Sequence, residues 1–162
     1  MDDHLFEGFP YSFLLKPLLF AGKALEYHGL RAGNDYDLLL PREEFRSLWR
    51  QFSDQRFLNP TEHRVVRIAP FEFYEHLFGY DYLLLTREAI DRGDYLVMPV
   101  EMLTFFTIIR IMHEQENTQA KQDLVVLMHK LGVWPPTPPS EPIAPQGADL
   151  QINNEAKRSE DL

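Results

Sequence analysis

Apolar positions change period several times along this chain, and each change marks an element. Leu18-Leu19-Phe20 is a short unbroken apolar run that reads as a strand, followed by the small pair Ala21-Gly22 as a turn. Lys23 to His28 then reads as a helix closed by Gly29, and Leu38-Leu39-Leu40 as a second strand. Pro41 suits the first turn of a helix whose apolar residues Phe45, Leu48, Trp49 and Phe52 follow at i, i+3, i+4 and i+7. Residues 53 to 63 read as a connection with a short strand near Arg56 to Leu58, and Val65 to Ala69 is β-branched enough to be a strand. Pro70 should break that strand before Phe71-Glu72-Phe73. Tyr80 to Ile90 reads as a helix and Tyr95 to Met98 as a strand.

The last folded part is helical. Nine of thirteen residues from Val100 to Met112 are apolar, which predicts a helix buried on most sides with a polar stripe through Glu101, Thr104, Arg110 and Glu114. A second helix, running to about Leu131 with Ala120, Leu124, Leu127 and Leu131 on its core face and Gly132 as its stop, should pair antiparallel with it. The amino-terminal stretch, with Phe6, Phe9, Tyr11 and Phe13, is too apolar to hang free. From Pro135 the chain is dense in proline and then polar, so residues 134 to 162 are expected to be a disordered tail behind a domain spanning 1 to 133. The fold expected is α/β (α+β): a small mixed sheet flanked by helices, followed by a helical hairpin.

Composition narrows the function. A length of 162 residues with 44% hydrophobic and 13% aromatic content suits one domain with a real core. A net charge of −9 argues against a broad nucleic-acid surface, though a small local basic site is compatible with it. The absence of cysteine excludes thiol chemistry and a disulfide framework, and no signal peptide or long apolar segment is visible, so a soluble cytoplasmic protein is expected. There is no G-x-G-x-x-G, P-loop or G-x-S-x-G. His113 and His129, with Glu114 and Glu116, match no zinc spacing and read as exposed helix residues.

The chemistry concentrates at Asp35-Tyr36-Asp37. The strand period of two puts the two carboxylates on one face with Tyr36 on the other, where they repel unless a cation or a shared proton lies between them. Lys23, Arg31 and Lys121 are the candidate cations.

Phe20-Ala21-Gly22, a gap of twelve residues, then Asp35-Tyr36-Asp37-Leu38 resembles the nucleotidyltransferase superfamily of the polymerase beta type, in its minimal bacterial, toxin–antitoxin-like branch. Phe71-Glu72-Phe73 fits the family's third acid on a neighbouring strand. The sequence departs from the family in having Ala21 where Gly is usual and Glu72 where Asp is commoner. The resemblance spans roughly residues 18 to 130. It implies transfer of a nucleoside monophosphate from an NTP to an acceptor, with Mg²⁺ (or Mn²⁺) held by Asp35, Asp37 and Glu72. It further implies phosphates cradled at Ala21-Gly22 and met by Lys23 and by Lys121 on a later helix. The alternative is a non-catalytic protein of the same fold, an antitoxin-like partner or a nucleotide sensor, which would bind nucleotide or another protein.

Overall fold

The structure, a computed structural model, describes residues 4–59 and 63–133. The expected tail from 134 onwards lies outside the described residues. A seven-stranded mixed sheet carries the fold, in the spatial order β3-β4-β5-β2-β1-β7-β6. Its members are β1 (Leu18–Phe20), β2 (Tyr36–Leu39), β3 (Arg56–Leu58), β4 (Arg64–Ile68), β5 (Phe71–Tyr74), β6 (Ile90–Asp91) and β7 (Leu96–Val97). The helices are α1 (Ala21–Tyr27), α2 (Arg42–Gln51), α3 (Tyr82–Leu85), α4 (Val100–His113) and α5 (Thr118–Lys130). The central pairs are β1 antiparallel to β2 and β2 parallel to β5. The α/β class expected from the sequence is the one observed.

Register assigns the two faces of the sheet. Leu19, Leu38 and Phe73 lie abreast on one face, and Phe20, Asp37 and Glu72 lie abreast on the other. The first face is covered by α2, whose Phe45 and Leu48 are fully buried, and by the amino-terminal segment, whose Phe6, Phe9 and Phe13 rings pack on Phe73 at 5.5–6.5 Å. Carboxylates hold that segment at both ends. Asp94 accepts the backbone N–H groups of Leu5 and Phe6 at 3.1 and 2.8 Å, and buried Glu44 accepts those of Leu14 and Leu15 at 2.5 and 3.3 Å. Buried Glu75 locks α2 to the sheet: it pairs with Arg64 on β4, and Arg42 and Arg46 of α2 lie 3.7 and 3.9 Å away.

The other face receives α4 and α5, which pack on each other across a four-residue connection capped by Asn117, whose side chain accepts the Ala120 N–H. Gly29 and Gly132 end α1 and α5 at φ +72° and +68°, where a Cβ would be strained.

Several expectations are corrected. Ala21 and Gly22 form the first turn of α1 rather than a turn ahead of a helix at Lys23, and Leu40 follows β2 instead of belonging to it. The helix expected over Tyr80 to Ile90 is only Tyr82–Leu85, because Ile90 is drawn into β6 opposite Val97. The strand expected from Tyr95 shrinks to Leu96–Val97. Helix α4 is not buried on most sides: Phe105, Ile108 and Met112 are exposed. On α5 the core positions Ala120 and Leu127 are joined by a buried carboxylate, Asp123, while Leu124 is only half-buried. Pro70 does not displace Glu72: β5 starts at the next residue, and the Pro70 carbonyl accepts the Tyr36 N–H.

Candidate active site

A cavity of ≈ 310 Å³ lies between the acid-bearing face of the sheet and the α4–α5 pair. Its sheet wall is Phe20, Asp37, Glu72 and Tyr74, and its helical wall includes Leu103, Phe106, Arg110 and Asp123. Asp37 and Glu72 are direct neighbours on parallel strands. Burial, then the adjacent Glu72 charge, push the Asp37 carboxyl up from 3.8 to about 7; Asp35 adds to the rise, while a hydrogen bond from Tyr74 and the charge of Arg110 oppose it. Tyr74 donates its hydroxyl to Glu72 at 2.9 Å, and burial followed by the Asp37 and Glu72 charges raises its own pKa. The other oxygen of Glu72 accepts Arg67 Nε at 2.6 Å.

Of the residues expected at the site, Asp37 and Glu72 meet in this wall. Asp35 lies in the bend just ahead of β2, exposed, and acts on Asp37 through its charge. Ala21 reaches the cavity in the left-handed conformation, φ +52°, that usually selects glycine. Gly22 is turned against Gly33: a Cβ on Gly33 would sit 2.3 Å from the Gly22 carbonyl carbon and 2.6 Å from Lys23 N. The Gly22–Lys23 peptide is therefore covered on that side by the Arg31–Asp35 loop. The loop is fastened by Glu26, which accepts the Gly33 N–H at 2.8 Å and the Lys23 ammonium at 2.9 Å, and the first of these bonds is the main cause of its lowered pKa. Lys23 also lies over the Tyr36 ring at 5.3 Å, so Gly22 and Lys23 both have structural partners.

The remaining cations divide. Arg31 lines the cavity but forms a bidentate pair with buried Asp123, at 2.5 and 2.8 Å, which raises the guanidinium pKa. Lys121 stands on the exposed side of α5 and does not line the cavity. Arg110 of α4, half-exposed and held at 3.2 Å by Glu114, does line it. His113 and His129 are exposed helix residues, as expected; His113 stacks on Phe78 at 5.2 Å, and Phe78 meets His63 edge-on at 5.7 Å. Among the described residues no group of three or more His, Cys, Asp or Glu side chains is placed to hold a metal unaided.

Sequence reasoning missed Tyr74, Arg67, Arg110 and Asp123 in these roles. Tyr74 was within reach, because the period of two that places Glu72 on the acid face places Tyr74 there too. No family model, curated protein or solved structure matches this chain.

Proposed function

We propose that the cavity is the active site of a metal-dependent nucleotidyltransferase that moves a nucleoside monophosphate from an NTP to an acceptor. The observation that carries this reading is the Asp37–Glu72 pair on adjoining strands, with Asp35 beside it. Burial, then the neighbouring Glu72 charge, raise the Asp37 pKa to about 7, a penalty on its ionised form that a bound cation would relieve. The donors are hard carboxylate oxygens, which suit Mg²⁺ or Mn²⁺, and the Asp37–Glu72 pair would leave positions for substrate phosphates to fill. Bound there, the cation would neutralise charge developing on the transferred phosphoryl group.

The chain's own residues position the reactants. Arg110 faces the phosphates from α4, Tyr74 and Arg67 orient Glu72, and the Arg31–Asp123 pair fixes α5 against the loop that carries Asp35. The apolar residues Leu103, Phe106 and Phe20 limit water around the charged wall, which strengthens every ionic contact inside it. Covalent participation by the protein is not required, since phosphoryl transfer rests on alignment and charge. The cysteine-free composition fits a cytoplasmic setting.

The test is incubation of the full chain with each α-labelled NTP and Mg²⁺ or Mn²⁺, beside Asp37→Asn. Metal-dependent NTP binding and label transfer, both lost in the variant, are expected. Absence of binding for every NTP overturns the reading. The binding-protein alternative is favoured by one observation: both oxygens of Glu72 already have partners, Arg67 and Tyr74. It requires nucleotide or protein binding without turnover.

A further inference from the structure

We propose that an arginine belt around the β3 edge binds a single strand of RNA. The chain is acidic overall, yet six of its eleven arginines fall between residues 42 and 67. The fold gathers them. Arg42, Arg46 and Arg50 recur every four residues on one side of α2. Arg56 from β3 lies over the Trp49 ring at 5.2 Å and donates to the Trp49 and Arg50 carbonyls at 2.5 and 3.3 Å. Arg64 from β4 lies over the same ring at 5.6 Å. Across the strand, on the acid face, Arg67 lies over Phe57 at 4.3 Å and then reaches Glu72. The belt thus runs from α2 round the sheet edge to the mouth of the cavity.

These cations are presented to solvent: the side chains of Arg42, Arg46, Arg64 and Arg67 are 45–63% exposed. Acids are interspersed: Glu75, buried beneath the belt, is shared by Arg64, Arg42 and Arg46, and Glu72 pairs with Arg67. Glu43 and Asp54 are exposed on α2 and the turn after it, so the six arginines outnumber these four acids. Guanidinium groups fixed on aromatic faces offer both charge for phosphates and flat surfaces for bases, the combination that single-strand binders use.

The path selects the kind of strand. It passes from one face of the sheet to the other, a bend that a stiff duplex cannot follow and a single strand can. Strand β3 is the last of the described strands at this end of the sheet, the position from which edge backbone groups can meet the 2′-hydroxyls that distinguish RNA from DNA. Binding here needs neither NTP nor metal, so it stands or falls apart from the transfer reading.

The test is fluorescence anisotropy of a short labelled oligouridylate with the full chain, without nucleotide or divalent metal, over a salt series. Saturable binding is expected, weakening with salt at a logarithmic slope of about 0.7 per phosphate contacted. Arg42→Gln combined with Arg50→Gln should reduce that slope by roughly 1 to 1.5 and weaken binding about tenfold at low salt, with little change in melting temperature, since Arg64 and Arg46 still compensate Glu75. Phe57→Leu should weaken it roughly fivefold or more. The proposal is overturned if the oligouridylate does not bind at low salt, or if the double variant binds as the parent does. It is equally overturned if oligodeoxythymidylate or a polyglutamate peptide binds as tightly as the RNA.

Discussion

Replacing Asp37 by Asn should stabilise the protein at alkaline pH and leave it little changed in acid. The carboxyl titrates near 3.8 in the unfolded chain and at about 7 in the fold, so the folded state binds a proton that the unfolded state has released. Stability from this group is therefore full below about pH 4, declines as the pH rises towards 7, and stays low above that. The full displacement corresponds to about 4 kcal/mol at alkaline pH, at 1.36 kcal/mol per unit. Water entry and side-chain relaxation around a half-buried carboxyl cut this to about 2 kcal/mol, since effective dielectric constants near 20 describe such sites better than dry-protein values. The amide keeps the shape and can still accept from Tyr74, so no cavity opposes the gain. For a domain of this size about 2 kcal/mol is roughly 6–10 °C in Tm. Differential scanning calorimetry of parent and variant at about pH 8 and about pH 4 measures it, and a variant that melts no higher than the parent at about pH 8, or whose advantage is undiminished at about pH 4, refutes the reasoning. Mg²⁺ with NTP should raise the parent's Tm at the higher pH and leave the variant's unchanged.

Other substitutions probe the supporting structure. Ala21→Gly should raise stability by about 1 kcal/mol in urea unfolding, because Ala21 sits at φ +52°; a loss would show that its Cβ packing outweighs the backbone strain. Gly33→Ala should cost more than about 3 kcal/mol, since its Cβ would overlap the Gly22 backbone at 2.3 Å; near-parental urea midpoints would mean the loop moves aside freely. Arg31→Ala leaves buried Asp123 without its cation and should cost about 3 kcal/mol near neutral pH, with much of the loss recovered in Arg31→Ala/Asp123→Leu. Thermal melts of the three proteins decide that, and an Arg31→Ala variant as stable as the parent would show the pair to be dispensable.

The parts of the site legible in the sequence were those written in a short period. Tyr36-Asp37-Leu38 and Phe71-Glu72-Phe73 each announce a face through alternation, and the structure lays β2 beside β5 with Asp37 opposite Glu72. Asp35, expected on the same strand and face as Asp37, stands in the exposed bend before β2 because the strand begins only at Tyr36. The Arg31–Asp123 pair spans 92 residues, and nothing local to either residue points to the other. Position 123 does share the inward face with Ala120 and Leu127, but an aspartate in an apolar stripe reads as a boundary until its arginine is seen. The short α3 was overextended because Leu83-Leu84-Leu85 promises a helix, while the β6–β7 pairing that ends the helical stretch depends on β1 lying alongside. Lys121 stands away from the cavity because the helical period of α5 sends residues 120 and 123 inward and leaves 121 outside.

The segment from Leu5 to Leu15 is made before the residues that seat it. Its partners are Phe71 and Phe73 on β5, the Glu44 carboxylate, and Asp94, which lies 88 and 89 positions beyond the amides it accepts. A ribosome therefore releases Phe6, Phe9 and Phe13 well before any surface exists to receive them. Throughout that interval three neighbouring aromatic rings travel bare on the nascent chain, which makes this stretch the natural point of engagement for a chaperone and the first to associate wrongly when synthesis outruns docking.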